Sequence, residues 1–280
     1  MTHSSSFNNP LNGAIVADEQ SPLLPQMGPP QEVSAFQRWR NWFMVDVSRD
    51  WADLILILCY LITGLLDSAS ISVWGSFVSM QTGNTVYIGL GFADPGASTR
   101  WIKSGTSLLS FLLGSFFFSR FHRFFSAKRR WVLCASFTAQ LLLIVAAACM
   151  VTLAGSGVDP ESIAWYVLVP IALVAFQSCG QAVMSRALKY NSLTSVVLTS
   201  IYCDLFSDAD LFAVHNAERN RRTAAPLSLL LGAFLGGKVA NTEFGVAGAL
   251  WAAAGLKLIV VIIWIFWPAE PSLDEAVESA

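Results

Sequence analysis

Charge is scarce in this chain. Asp, Glu, Lys and Arg make up 13% of its 280 residues, against about 25% in ordinary soluble domains. With 54% hydrophobic residues and a mean hydropathy of +0.55, that deficit points to a lipid bilayer as the surrounding medium. Nucleic acid is not an expected partner, because the net charge is −2 and the basic residues fall in short clusters between apolar runs. Histidine is rarer still: His3, His122 and His215 are the only three, none paired within an apolar run as haem ligation needs. No HExxH, GxSxG, Walker or GxGxxG sequence occurs. No enzyme, cofactor or metal site is therefore expected. The five cysteines, Cys59, Cys134, Cys149, Cys179 and Cys203, form no CxxC pair and read as small core residues. No signal peptide is expected at the start, because residues 1–35 hold no apolar h-region. Residues 1–35 are rich in Ser, Asn, Pro and Gln, and a tail with so little apolar surface is expected to stay disordered. Within it, Glu19, Leu23 and Leu24 fit an acidic dileucine signal read by a cytosolic sorting adaptor, or are an accidental Leu pair.

What the chain has in abundance is long apolar runs. Six are long enough to span a bilayer core, which takes about 20 helical residues: 52–72, 104–121, 131–153, 163–185, 224–241 and 246–267. Trp51, Trp101, Trp131 and Trp165 open four of them, while Trp264 and Trp267 close the last, as in the aromatic belts of membrane interfaces. Two further segments, 76–93 and 192–206, are apolar but interrupted by polar residues. If both cross, the basic residues divide evenly between the two sides. If both dip in and return, 13 lie on the side of the chain termini and only Arg100, Lys103 and Lys238 on the other. The positive-inside rule selects the second arrangement. It gives six spans with cytosolic termini: a tail at 1–48, a transmembrane domain at 49–268 and a short acidic tail at 269–280.

The two halves resemble each other. Leu109–Phe116 (LSFLLGSF) matches Leu227–Phe234 (LSLLLGAF) at six of eight positions. Gly64 falls on Gly180, and Thr82-Gly83 on Thr199-Ser200. Repeats at about 52–153 and 163–267, each with three spans and a polar dip, are inserted in opposite senses. The expected fold is therefore an all-α polytopic membrane protein with two inverted repeats. That pattern recurs in secondary transporters, with a polar site near the midplane.

Polar residues in the apolar runs supply candidates for such a site. Asp67 and Lys257 are the most costly of them in lipid, and their opposite charges suggest an ion pair. Gln177 and Gln181 stand one helical turn apart and share a face. Gln140 reads as an interhelical hydrogen bond. Gln81, Thr82, Gly83 and Asn84 in the first dip, with Thr199 and Ser200 in the second, complete a candidate set for an unidentified small solute. The competing reading is that these residues only glue helices together. The first reading makes the chain a transporter or exporter, in the plasma membrane or a vacuolar or endosomal membrane. The second makes it a scaffold or an accessory protein of a biosynthetic pathway. The oligomeric state is not encoded in any recognisable pattern.

The same residues carry a family resemblance. Gly64-Leu-Leu-Asp67-Ser-Ala, Phe77-Val-Ser-Met-Gln-Thr-Gly-Asn84-Thr and Gly180-Gln-Ala-Val-Met-Ser-Arg186 resemble the YoaK-type membrane family, the domain of unknown function 1275. So do Thr194-Ser-Val-Val-Leu-Thr-Ser-Ile-Tyr-Cys-Asp204-Leu and Arg221-Arg222. The runs Met80–Thr85 and Leu198–Leu205 are similar to the fungal branch in particular. The resemblance spans about residues 50–267 and implies some six transmembrane helices but no activity. Ala182 departs from it, where many relatives carry Asn, which removes one polar group from the fourth span.

Overall fold

The computed structural model describes residues 34–155, 159, 161–190, 193 and 195–270. Glu19, Leu23 and Leu24 of the sorting motif, Thr194 and the last ten residues lie outside the described residues. The first helix, α1 (Ala35–Met44), begins in a short N-terminal unit that ends at Trp39. The second unit starts at Arg40 and holds the other helices.

Eight more helices follow among the described residues: α2 (Ala52–Trp74), α3 (Gln81–Ala93), α4 (Arg100–Phe124), α5 (Arg130–Ala154), α6 (Trp165–Ala187), α7 (Thr199–Phe206), α8 (Ala217–Ala240) and α9 (Gly245–Phe266). Among the described residues, β-pairing is confined to two isolated bridges, Asp46 to Arg129 and Val47 to Ala269. The chain is an all-α polytopic membrane protein. Helices α2, α5, α6, α8 and α9 are each long and apolar enough to cross a bilayer. The expected second span, α4, has the length at 25 residues but not the hydropathy, because Lys103, Ser104, Thr106 and Ser107 crowd its first half. Helix α8 starts seven residues before the expected span. Asn216 caps it by accepting the Arg219 N–H at 2.9 Å, so the basic turn Arg219–Arg222 is helical.

Contacts fix the helix directions. Arg221 meets Asp53, and Ser228 donates to the Ile57 carbonyl. Gly232 and Gly236 lie against the Leu61 and Leu65 carbonyls. Helices α2 and α8 therefore run side by side in the same direction. So do α4 and α6, from Thr99 beside Glu161 to Gly114 against Phe176. By contrast α5 and α9 are antiparallel, with Arg130 meeting Trp267, Gln140 meeting Lys257 and Thr152 meeting Trp251. The two matching octets have the same mechanical task. Gly114 lets α4 approach the α6 backbone, and Gly232 lets α8 approach the α2 backbone, where any Cβ would overlap a carbonyl oxygen.

Both polar segments leave one end of the bundle and return to it. After Trp74 the chain turns at Gly75, whose φ is +73°, and residues 76–80 descend beside α2. Helix α3 then climbs back along α4, with Asn84 at Ser107 and Gly91 at Trp101. The second segment leaves α6 at the other end, where the Tyr190 hydroxyl donates to the Arg49 carbonyl at 2.9 Å. It returns to α8 through the Asp208–Arg222 ion pair at 2.9 Å. That other end, the terminal end, also carries residues 45–49 and 267–270.

Two predictions follow from this arrangement. Single cysteines at Gly96 and Ala213, on a cysteine-free background, are expected to label from opposite faces of sealed vesicles; labelling from one face would refute the two returns. Gly232→Ala should cost about 1–3 kcal/mol, as overpacking does, and lower the melting temperature in detergent. Gly237→Ala, with nothing within 4 Å of its new methyl, should be neutral.

Candidate functional site

The first dip is held by a single carboxylate. Asp67 is seven residues short of the end of α2, hence ~10 Å below it at 1.5 Å per residue. At that depth an unpaired backbone N–H has no water to turn to. Asp67 Oδ1 accepts the Val78 N–H at 2.8 Å and the Ser79 N–H at 2.9 Å, and Oδ2 accepts the Ser79 hydroxyl. From the opposite side, Ser178 on α6 donates to the Val78 carbonyl at 2.9 Å. Asn84 closes the turn: its amide accepts from Phe77 N and donates to the Phe77 carbonyl, Gln81 and Ser107. Asn84 is fully buried, and Gln81 bonds Val78 and Ser107. Much of the polar run in the first dip is thus spent on folding the dip itself.

The expected Asp67–Lys257 ion pair does not form. Lys257 lies twelve residues into α9, ~18 Å along it, and is fully buried. Its ammonium donates to Gln140 Oε1 at 3.0 Å and to Gln181 Oε1, and lies 5.3 Å from the Phe137 ring centroid. Asp67 is occupied by the dip, and Lys257 has no carboxylate within ion-pair distance among the described residues. The amide network extends outward from the lysine in both directions. Gln181 Nε2 donates to the Thr63 hydroxyl at 3.0 Å, while Gln140 Nε2 donates to Ser136, which is hydrogen-bonded to the His122 ring. Five helices, α2, α4, α5, α6 and α9, meet in this network. The packing that allows it is tight: at Gly180 a Cβ would clash with the Gln140 amide.

Gln177, one turn from Gln181 on the same face of α6, is fully buried, and neither its amide nitrogen nor its oxygen has a hydrogen-bond partner. A buried amide left this way costs about 1–3 kcal/mol per group. The remaining candidates are not brought here. Thr82 is exposed, Gly83 lies against the Phe77 ring, and Thr199 and Ser200 are exposed at the start of α7. The second dip is packed by Leu193 and Ile201 against Leu56, Tyr60 and Ala225, within the terminal half of α2. The two dips do not share one site. Gln140, read from sequence as an interhelical hydrogen bond, makes one, and its partner is the buried cation on α9. Its pairing needs the antiparallel α5–α9 register, which no local pattern reveals.

At the end opposite the termini, a groove of about 560 Å³ opens between α2, α5, α6, α8 and α9, rimmed by Trp74, Tyr166, Glu243 and Trp251. Trp251 is six residues before Lys257 on α9, ~9 Å above it.

The clamp geometry separates two substitutions at one position. Asp67→Asn keeps the oxygen that accepts both N–H groups and should change stability by less than about 1 kcal/mol. Asp67→Ala strands both N–H groups and should cost about 2–6 kcal/mol, from ~1–3 for each. Detergent melting curves of the two variants check this; equal losses would show that the carboxylate does not hold the dip.

A family model described as "Protein of unknown function (DUF1275)" matches residues 55–263. No curated protein matches significantly, and no solved structure does. The matched stretch takes in the dip, its Asp67 clamp and the Lys257 network, and by it the chain belongs to the DUF1275 family of membrane proteins.

Proposed function

We propose that this protein is a secondary transporter of a small polar solute, with its site at the Lys257–Gln181–Gln140 network near mid-membrane. The observation that carries the reading is the buried Lys257 ammonium, which faces only neutral amide oxygens. An intramembrane cation without a counter-charge is expensive and marks a substrate or ion pathway far more often than a packing contact. Packing alone would be better served by an apolar residue, since replacing buried ionic groups with hydrophobic ones of similar volume is often neutral or stabilising. The partnerless Gln177 amide, one helical turn along α6 from Gln181, is a second buried group open to a ligand.

The architecture agrees with transport. Helices α2 and α6 run in opposite directions, and the two glycine octets make equivalent contacts in the two halves. We read this as a pair of inverted repeats with six spans, the plan of many alternating-access carriers. A groove rimmed by Trp251 opens at one end, ~9 Å along α9 from Lys257. The resemblance to the fungal YoaK-type branch, carried by Met80–Thr85 and Leu198–Leu205, belongs to this reading, as do cytosolic termini and a plasma or vacuolar membrane. No chemical step is required of the chain.

The test is ligand-induced stabilisation followed by uptake. A solute that binds the folded state raises the melting temperature with its concentration. At least one class among small sugars, amino acids, carboxylates and amines is expected to do so and to accumulate in proteoliposomes. Lys257→Met should fold with an unchanged or raised melting temperature and lose both responses. A Lys257→Met variant that melts far below the parent, with no solute acting on the parent, would make the network structural glue and the protein a scaffold.

A further inference from the structure

The charge and hydrogen-bond inventory of the network says more than that a polar solute binds there. Lys257 supplies one positive charge, and its two partners, Gln140 and Gln181, contribute dipoles but no negative charge. Asp67 is not a contact counter-charge: its oxygens bond Val78 and Ser79, and no ion pair joins it to Lys257 among the described residues. In a low-dielectric interior a single fixed cation favours a single anion far more strongly than it would in water. A dianion would bring one uncompensated charge into the bilayer core, a cationic solute would be repelled, and a neutral one would leave the lysine as it is.

Gln177 narrows the class. Its Nε2 needs an acceptor and its Oε1 needs a donor, and both are buried without partners. A halide offers no donor. A simple aliphatic carboxylate offers acceptors only. An amino acid zwitterion offers both but sets an ammonium group close to Lys257. A carboxylate that also carries a hydroxyl group satisfies everything at once: the carboxylate takes the Lys257 ammonium in place of amide oxygens, and the hydroxyl meets the Gln177 amide one helical turn away. We infer that the site selects a small hydroxylated monocarboxylate, with Lys257 reading its charge and Gln177 its hydroxyl. This rests on the transport reading above but concerns binding, and can fail while that reading stands.

Melting curves of the purified full chain, at constant ionic strength, with sodium lactate, sodium propionate, disodium succinate, glycerol and ethanolamine as probes test it. Lactate is expected to raise the melting temperature at the lowest concentration. Propionate should need about tenfold more, the consequence of leaving one buried hydrogen bond unmade. Succinate, glycerol and ethanolamine should have no effect. Gln177→Leu should erase the advantage of lactate over propionate without abolishing either response. Lys257→Gln, which keeps a hydrogen-bonding group and removes only the charge, should abolish both. Stabilisation by glycerol or ethanolamine but not lactate, lost in Lys257→Gln, would overturn the anion assignment and leave the transport reading in place. An equal lactate response in Lys257→Gln would place the binding elsewhere and overturn the inference. No response to any probe would overturn the inference, while the wider solute panel still decides the transport reading.

Discussion

A backbone that leaves helical conformation inside a bilayer must find partners for its own N–H and C=O groups, and in this protein Asp67 answers most of that demand. One carboxylate oxygen takes two consecutive N–H groups, the other takes the Ser79 hydroxyl, and Ser178 on α6 takes the intervening carbonyl. The descent of residues 76–80 depends on that arrangement. So does the position of α3, which starts where the clamp ends and is pinned to α4 through Asn84 and Ser107. Because Ser178 belongs to α6, the clamp also ties the first half of the chain to the second.

The Lys257 network poses the opposite problem. Asp67 is a charge with donors on both of its oxygens; Lys257 is a charge held by amide dipoles and a ring face. Its ammonium touches two neighbouring helices at once, α5 through Gln140 and Phe137 and α6 through Gln181. Such a residue contributes to the register of α5 against α9, yet the same register is marked at the terminal end by Arg130. Arg130 donates to the Trp42 carbonyl at 2.8 Å and to the Trp267 carbonyl at 2.6 Å, and stacks on the Trp42 ring. With the register already held there, the lysine is costly as glue, which is the energetic argument for giving it another role.

Much of the fold was legible from sequence, for physical reasons that also explain what was not. Apolar runs bounded by tryptophan and short basic clusters report the bilayer directly, so the long apolar helices and the all-α polytopic class could be read. The cost of Asp67 and Lys257 was legible too, since any ionisable group in such a run must be explained. Their partners were not: Asp67 satisfies backbone atoms eleven and twelve residues away, and backbone groups leave no trace in residue identity. Pairing two opposite charges was the simplest guess, and it failed because each had a nearer demand to meet. Thr199 and Ser200 were matched to Thr82 and Gly83 by position in the repeat, but a repeat conveys topology, not depth.

The difference in depth between the dips follows from one residue. By the offset that places Gly64 on Gly180, Asp67 falls on Val183, so the second half has no carboxylate to receive a descending backbone. Its dip stays near the terminal end, fixed by the apolar contacts of Leu193 and Ile201 and by surface ion pairs such as Arg222 with Asp208. Moving the first dip would strand two buried N–H groups, at about 1–3 kcal/mol each. Moving the second would separate apolar side chains that lipid can also solvate, and charges that water can reach. The terminal end is meanwhile closed by the stretch around Asp46–Ser48, bridged to Arg129 and Ala269, while the opposite end holds the groove above Trp251. The first dip is held by buried backbone hydrogen bonds and the second by side-chain contacts, so displacing the second is the less costly of the two.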